Sequence, residues 1–165
     1  ALSWGKKEIG LHVNLETKTA AKNASEIIEN HKNILKGIVV GRSDLSMSMG
    51  MSKKEVDSEK VMKVVHKVLK LGREAGLMTT MGGTISANSV NHIADLYHRK
   101  LLNRFETRAV VFDVKSTDKN LLKDSIRCAL RYEQLLLEAR SIYHSVRSTE
   151  LKNRIDSIEG RKNVK

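Results

Sequence analysis

At 165 residues, 40% hydrophobic and 30% charged, the chain suits one domain with a real core, at about 100 to 200 residues per domain; only 4% aromatic, that core should be aliphatic. The net charge of +11 raises a polyanion as partner, yet Lys and Arg are scattered singly among acids with no aromatic-rich basic ribbon, so the charge reads as solvated helix faces and nucleic acid is not expected. No apolar run nears the roughly 18 residues of a membrane helix, the start lacks the apolar centre of a signal peptide, and the single cysteine forms no internal disulfide, so a cytoplasmic address and no membrane are expected.

Residues 1–10 read as the end of a helix leading into a first strand, Leu11 to Glu16. His12, Asn14 and Glu16 alternate along it and should share one face. Thr17 or Thr19 can cap a helix whose Ala20, Ala21, Ala24, Ile27 and Ile28 form an apolar side. A second strand, Ile38 to Val40, breaks into Gly41-Arg42-Ser43-Asp44-Leu45-Ser46, and Met47, Met49 and Met51 follow in a segment without periodicity, read as a packing loop or lid. Ser58 to Ala75 is the clearest helix: Val61, Val64, Val65, Val68 and Leu71 face inward, Lys60, Lys63, Lys67 and Lys70 outward, and Gly76 stops it. Leu77 to Met81 is a third strand with Gly82-Gly83 as its exit turn. A helix capped at Ser86 or Asn88 carries Val90 to Leu101. Arg108 to Val114 is the fourth strand, with apolar centre Ala109 to Phe112. The last long helix begins at Asp118 or Asn120 and runs to about Tyr143, with Cys128 read as a buried thiol. From Ser145 the apolar positions thin into a basic, partly helical tail.

Four strands alternating with four helices define an α/β chain with a parallel sheet. The strand-helix-strand unit from Leu11 to Val40 is a parallel crossover, and it brings the ends carrying Glu16 and Asp44 to one rim, where α/β folds keep their ligand sites. Two carboxylates there repel unless a cation or a proton intervenes, and an all-oxygen site with open positions suits Mg2+ or Mn2+. Spacing alone leaves open that Glu16 caps the next helix and that Asp44 bonds backbone amides. Arg42 could bind a carboxylate bidentately or sit in an exposed salt bridge. Ser43 could donate to a substrate oxygen or cap the turn.

The segment "LHVNLETKTAAKNASEI" followed by "GIVVGRSDLSMSMG" resembles the HpcH/HpaI aldolase and citrate lyase family, in which an apolar strand ends in Glu-Thr and a later strand in Gly-Pro-Ser-Asp-Leu-Ser. The resemblance spans roughly residues 10 to 130. It implies an eight-stranded (β/α) TIM barrel, of which this chain would supply strands five to eight, a half barrel followed by a helical tail; a whole barrel takes about 250 residues. Residues 1–144 would be the C-terminal half of the barrel domain and 145–165 the tail. By position, Glu16 and Asp44 become ligands of Mg2+ or Mn2+, Asn14 a substrate-contacting amide, and Gly41, Ser43 and Asp44 part of the loop that cradles the substrate, with Arg42 where the family usually has Pro.

The resemblance implies a carbon-carbon lyase or aldolase acting beside a 2-oxo acid such as pyruvate or oxaloacetate, or on an acyl thioester, with the cation stabilising an enolate. The family's base histidine and carboxylate-anchoring arginine come from earlier strands and have no match here. The expected partners are therefore a complementing barrel half or further copies of the chain, the tail serving as an oligomer arm. The competing expectation is a non-catalytic module holding an anionic partner on its basic surface.

Overall fold

The computed structural model describes residues 3–4 and 7–162. They begin with a short antiparallel pair, β1 (Ser3–Trp4) and β2 (Lys7–Glu8), where a helix end was expected. The main sheet has five strands in the order β3 (Leu11–Asn14), β4 (Leu35–Gly41), β5 (Met78–Gly82), β6 (Arg104–Glu106) and β7 (Val111–Asp113). Neighbours from β3 to β6 are parallel, and β7 returns antiparallel to β6.

The helices follow the apolar spacing. Thr17 accepts from the Ala20 amide to start α1 (Lys18–Lys22), and Asn23, out of helical conformation, separates it from α2 (Ala24–His31). α3 (Arg42–Ser48) leaves β4 without any loop, so the stretch from Arg42 to Ser46, where the strand was expected to break into a loop, is helical. Ser58 caps α4 (Glu59–Glu74), which buries Val61, Met62, Val65, Val68, Leu69 and Gly72. Gly72 lets α4 lie on the sheet: a Cβ there would come within 2.5 Å of Ile38 Cδ1. A single turn capped by Ser86 leads into α5 (Val90–His98).

The expected fourth strand, Arg108 to Val114, falls on the returning β7, and the strand before it, β6, lies outside that stretch. Arg104–Glu106 is the strand that continues the parallel sheet beside β5, and of the apolar Ala109 to Phe112 stretch only Val111 and Phe112 lie on the returning β7, where Val111 is 56% exposed. The core is aliphatic as anticipated, with Phe105 the one fully buried aromatic among the described residues, stacked on Phe112 at 4.8 Å. Leu15, Ile38, Val40, Met81 and Phe105 face the helices and join that core.

α6 (Lys119–Lys162) is one helix of 44 residues, running without a break past Tyr143. The chain divides into two compact units, residues 1–129 and 130–165. In the first, Leu122, Ile126 and Ala129 of α6 are buried, whereas Cys128 is exposed rather than the buried thiol expected. In the second, Leu135, Leu137, Ile142, Tyr143, Val146, Leu151 and Ile155 are all exposed. No helix of the described residues is long and apolar enough to cross a membrane.

Candidate active site

Parallel strands place the C-terminal ends of β3, β4, β5 and β6 side by side, and each end delivers a polar residue or a glycine to one rim. Glu16 lies two residues past β3, carried in by Leu15, whose amide bonds the Val39 carbonyl at 2.8 Å and whose side chain is buried. The expected alternation holds for Asn14 and Glu16: the Asn14 amide donates to Glu16 Oε2 at 3.3 Å. His12 belongs to the same strand and is exposed, with its ring lying over Gly37.

Gly41 and Gly82 pair in the β4/β5 register, and both are sites of close approach. A Cβ on Gly41 would run into the Glu16 carboxylate; one on Gly82 would sit 3.0 Å from Cγ and Oε1 of Glu106. Two acids therefore stand over two adjacent glycines. Burial raises the pKa of Glu106 above the ordinary carboxylate value, the negative charge of Glu16 adds to the effect, and His12 opposes it. Glu106 was not anticipated, because its strand, with Phe105 as the only apolar residue, carries no hydrophobic run.

Asp44 occupies the first turn of α3, exposed, with no hydrogen bond or salt bridge among the described residues. A carboxylate there is favoured by the helix dipole. Ser43, next to it, shares a 2.7 Å hydrogen bond with the Thr84 hydroxyl, which ties the start of α3 to the exit of β5. Gly83, at φ +82°, makes that exit possible, since a Cβ would fall 2.5 Å from the Arg42 and Ser43 amide nitrogens.

Arg42 differs most from its expected placement. Its guanidinium is completely buried, neither turned toward a carboxylate ligand nor in the exposed salt bridge that was the alternative. Nε donates to the Gly82 carbonyl at 3.1 Å, and Nη2 donates to the Gly83 carbonyl at 3.0 Å and to Ser89 Oγ at 3.1 Å. Nη1 is paired with Asp57, which also accepts from Ser89 Oγ at 3.3 Å. Burial pulls the pKa of Arg42 down and Asp57 pulls it back up. The fork binds the rim together: it fixes the β5 exit against the start of α3, the segment that carries Asp44.

Among the described residues no three Asp, Glu, His or Cys side chains form a group able to hold a metal on their own. The oxygen donors at the rim are nevertheless of the right kind for Mg2+ or Mn2+, which keep waters and substrate oxygens and take only one or two protein carboxylates. Glu16 and the unpaired Asp44 are the residues that would hold such a cation.

This rim, on a parallel sheet flanked by helices, is of the class in which barrel enzymes keep their chemistry. The family profile described as HpcH/HpaI aldolase/citrate lyase matches residues 4–117, and the chain belongs to that family. No curated protein matches it. Among solved structures, it is similar to an HpcH/HpaI aldolase from Desulfitobacterium hafniense, with 16% identity over 61% of this chain and 36% of the other, at a TM-score of 0.49. It is also similar to an HpcH/HpaI aldolase/citrate lyase family protein from Burkholderia cenocepacia, with 19% identity over 76% and 43% and a TM-score of 0.49. A variant of the citrate synthase SbnG matches at 15% identity over 77% and 49%, with the same TM-score of 0.49. The chain thus spans less than half the length of each of these structures.

Proposed function

We propose that this chain is the metal-binding half of a divalent-metal-dependent carbon-carbon lyase that makes or breaks a bond beside a 2-oxo acid such as pyruvate or oxaloacetate, or acts on an acyl thioester. What supports the reading is that Glu16 follows β3 and an unpartnered Asp44 lies in the first turn of α3, directly after the neighbouring β4, in a chain of this family. A cation held between them would supply Lewis-acid stabilisation of the charge that develops next to the 2-oxo group. Asn14 orients the Glu16 carboxylate through its amide, and the Ser43 hydroxyl stands at the same rim. Arg42 acts as a positioning residue, holding the α3 start that presents Asp44 and the Gly41 backbone. A second half, from another chain or from further sequence, would supply the proton-transfer base and the carboxylate anchor, and the exposed residues of α6 support a homo-oligomer.

Isothermal titration with Mn2+ in the presence and absence of pyruvate tests the proposal. Saturable Mn2+ binding that pyruvate tightens, and that Glu16→Gln and Asp44→Asn each weaken at least about tenfold while leaving the circular dichroism unchanged, is the expected result. Equal binding by both variants and the parent would remove the site assignment.

A further inference from the structure

On the helical side of the sheet, α1 and α4 border a half-open pocket of about 280 Å³ that the rim chemistry does not use. That volume lies just below the ~300–1,000 Å³ usual for small-molecule clefts, which points to a compact ligand. Lys18 and Lys22 come from α1, and Lys60 and Lys67 from α4; all four are exposed, and none of the lining residues is acidic. Ala21, Met49 and Val64 complete the lining. Ala21 is buried and the other two are partly buried, so the cations surround an apolar floor.

The lysines of α4 fall into two sets. Lys63 pairs with Glu59 at 2.9 Å and Lys70 lies 3.7 Å from Glu74, the solvated arrangement expected of a helix exterior. Lys60 and Lys67, seven residues apart on the pocket side, have no salt bridge among the described residues, nor do Lys18 and Lys22. Glu55 feels the charge of Lys60, but its carboxylate is already engaged by the Ser52 amide and hydroxyl at 2.9 and 3.0 Å. Four like charges around one concavity repel one another, and a multiply charged anion removes that repulsion where a single carboxylate would do so only in part. Ammonium groups act as mobile point charges suited to phosphate, while the apolar floor favours a ligand with a body over a bare ion. The lining holds no aromatic side chain on which a nucleobase could stack, which argues against single-stranded nucleic acid.

We infer that the pocket between α1 and α4 binds a small organic phosphate, its dianionic head among Lys18, Lys22, Lys60 and Lys67 and its apolar body on Ala21, Met49 and Val64. This site is separate from the Glu16 and Asp44 rim and does not depend on the lyase reading.

The test is titration of the full chain with phenyl phosphate in metal-free buffer, read by calorimetry and by two-dimensional NMR. Saturable binding is expected, weaker by at least about fivefold for inorganic phosphate and for phenylacetate, and weakened by added salt. The double variant Lys60→Gln/Lys67→Gln should lose at least about tenfold in affinity, whereas Lys63→Gln/Lys70→Gln, with the same change in net charge, should stay within about twofold of the parent. Asp44→Asn should bind phenyl phosphate like the parent, separating this site from the rim. Absence of saturable binding, or equal losses in the two double variants, would overturn the inference and leave a diffuse basic surface. Equal affinity for phenyl phosphate and inorganic phosphate would overturn the assignment of an apolar body.

Discussion

A guanidinium without exposed surface is tolerable only when its donors meet acceptors, and Arg42 has two carbonyls, a hydroxyl and a carboxylate around it. Removing the carboxylate alone leaves a buried cation uncompensated. Asp57→Ala is therefore expected to cost about 3–5 kcal/mol in urea unfolding, with the double variant Arg42→Met/Asp57→Ala recovering part of it. Gly41→Ala acts through a different contact. Its methyl would displace the Glu16 carboxylate, so Mn2+ affinity should fall by about tenfold or more while the melting temperature changes little. Glu106 carries a pH signature. Its folded carboxyl holds a proton more tightly than the ordinary value of 4.5, so between that value and the raised one the unfolded chain binds fewer protons and stability falls as pH rises. Glu106→Gln, without metal, should melt at a higher temperature than the parent at neutral pH and lose the advantage below about pH 4. The alternation of Asn14 and Glu16 was legible because strand periodicity is local. Arg42 was not, since Asp57 and Ser89, which bury it, are remote in the chain and carry no mark of that role.

At the level of elements, legibility followed the density of apolar residues. β4, with Ile38, Val39 and Val40 in succession, and α4, with its valines at helical spacing, were evident from pattern alone. β6 has a single buried residue among three, and the stronger apolar stretch two residues later drew the expected strand onto what is the returning edge. The start of α3 was hidden because a Gly-Arg-Ser-Asp run is turn chemistry by composition, and only the close seat of Gly83 on its first amides shows why the chain coils there at once. In the second unit, Tyr132, Leu135, Ala139, Ile142 and Val146 of α6 recur at alternating intervals of four and three, the period of a helix-pairing seam, and all are exposed. If that stripe pairs copies of the chain as proposed, Leu135→Glu/Ile142→Glu should weaken self-association by at least about tenfold in sedimentation equilibrium without altering Mn2+ binding by the first unit.

For the whole molecule, β3 and β7 are the two edges of the main sheet, and β3 presents its outer backbone along Leu11 to Asn14. Its neighbour β4 is paired on both sides, so a further strand adding next to Glu16 would do so at β3. That geometry fits the proposal that another barrel half completes the reaction. The isolated chain is then expected to bind Mn2+ and pyruvate yet show no measurable release of pyruvate from a 4-hydroxy-2-oxo acid, assayed with a coupled dehydrogenase. The charge distribution is also split by scale: the net charge of +11 suggested solvated faces, and α4 alone contains both acid-paired lysines and lysines directed at a pocket.

The single helix from Lys119 to Lys162 has one further consequence, in the exchange of its amide hydrogens. Backbone bonding is continuous along α6, but only residues up to Ala129 are held by buried side chains, and an isolated helix in water opens readily. Deuterium uptake should therefore divide the helix sharply: amides near Leu122 and Ile126 protected as long as the core is intact, those beyond Leu135 exchanging rapidly in dilute solution and slowing as concentration rises. One uninterrupted element would then record two stabilities, one belonging to the sheet and the other set by whatever covers its exposed side.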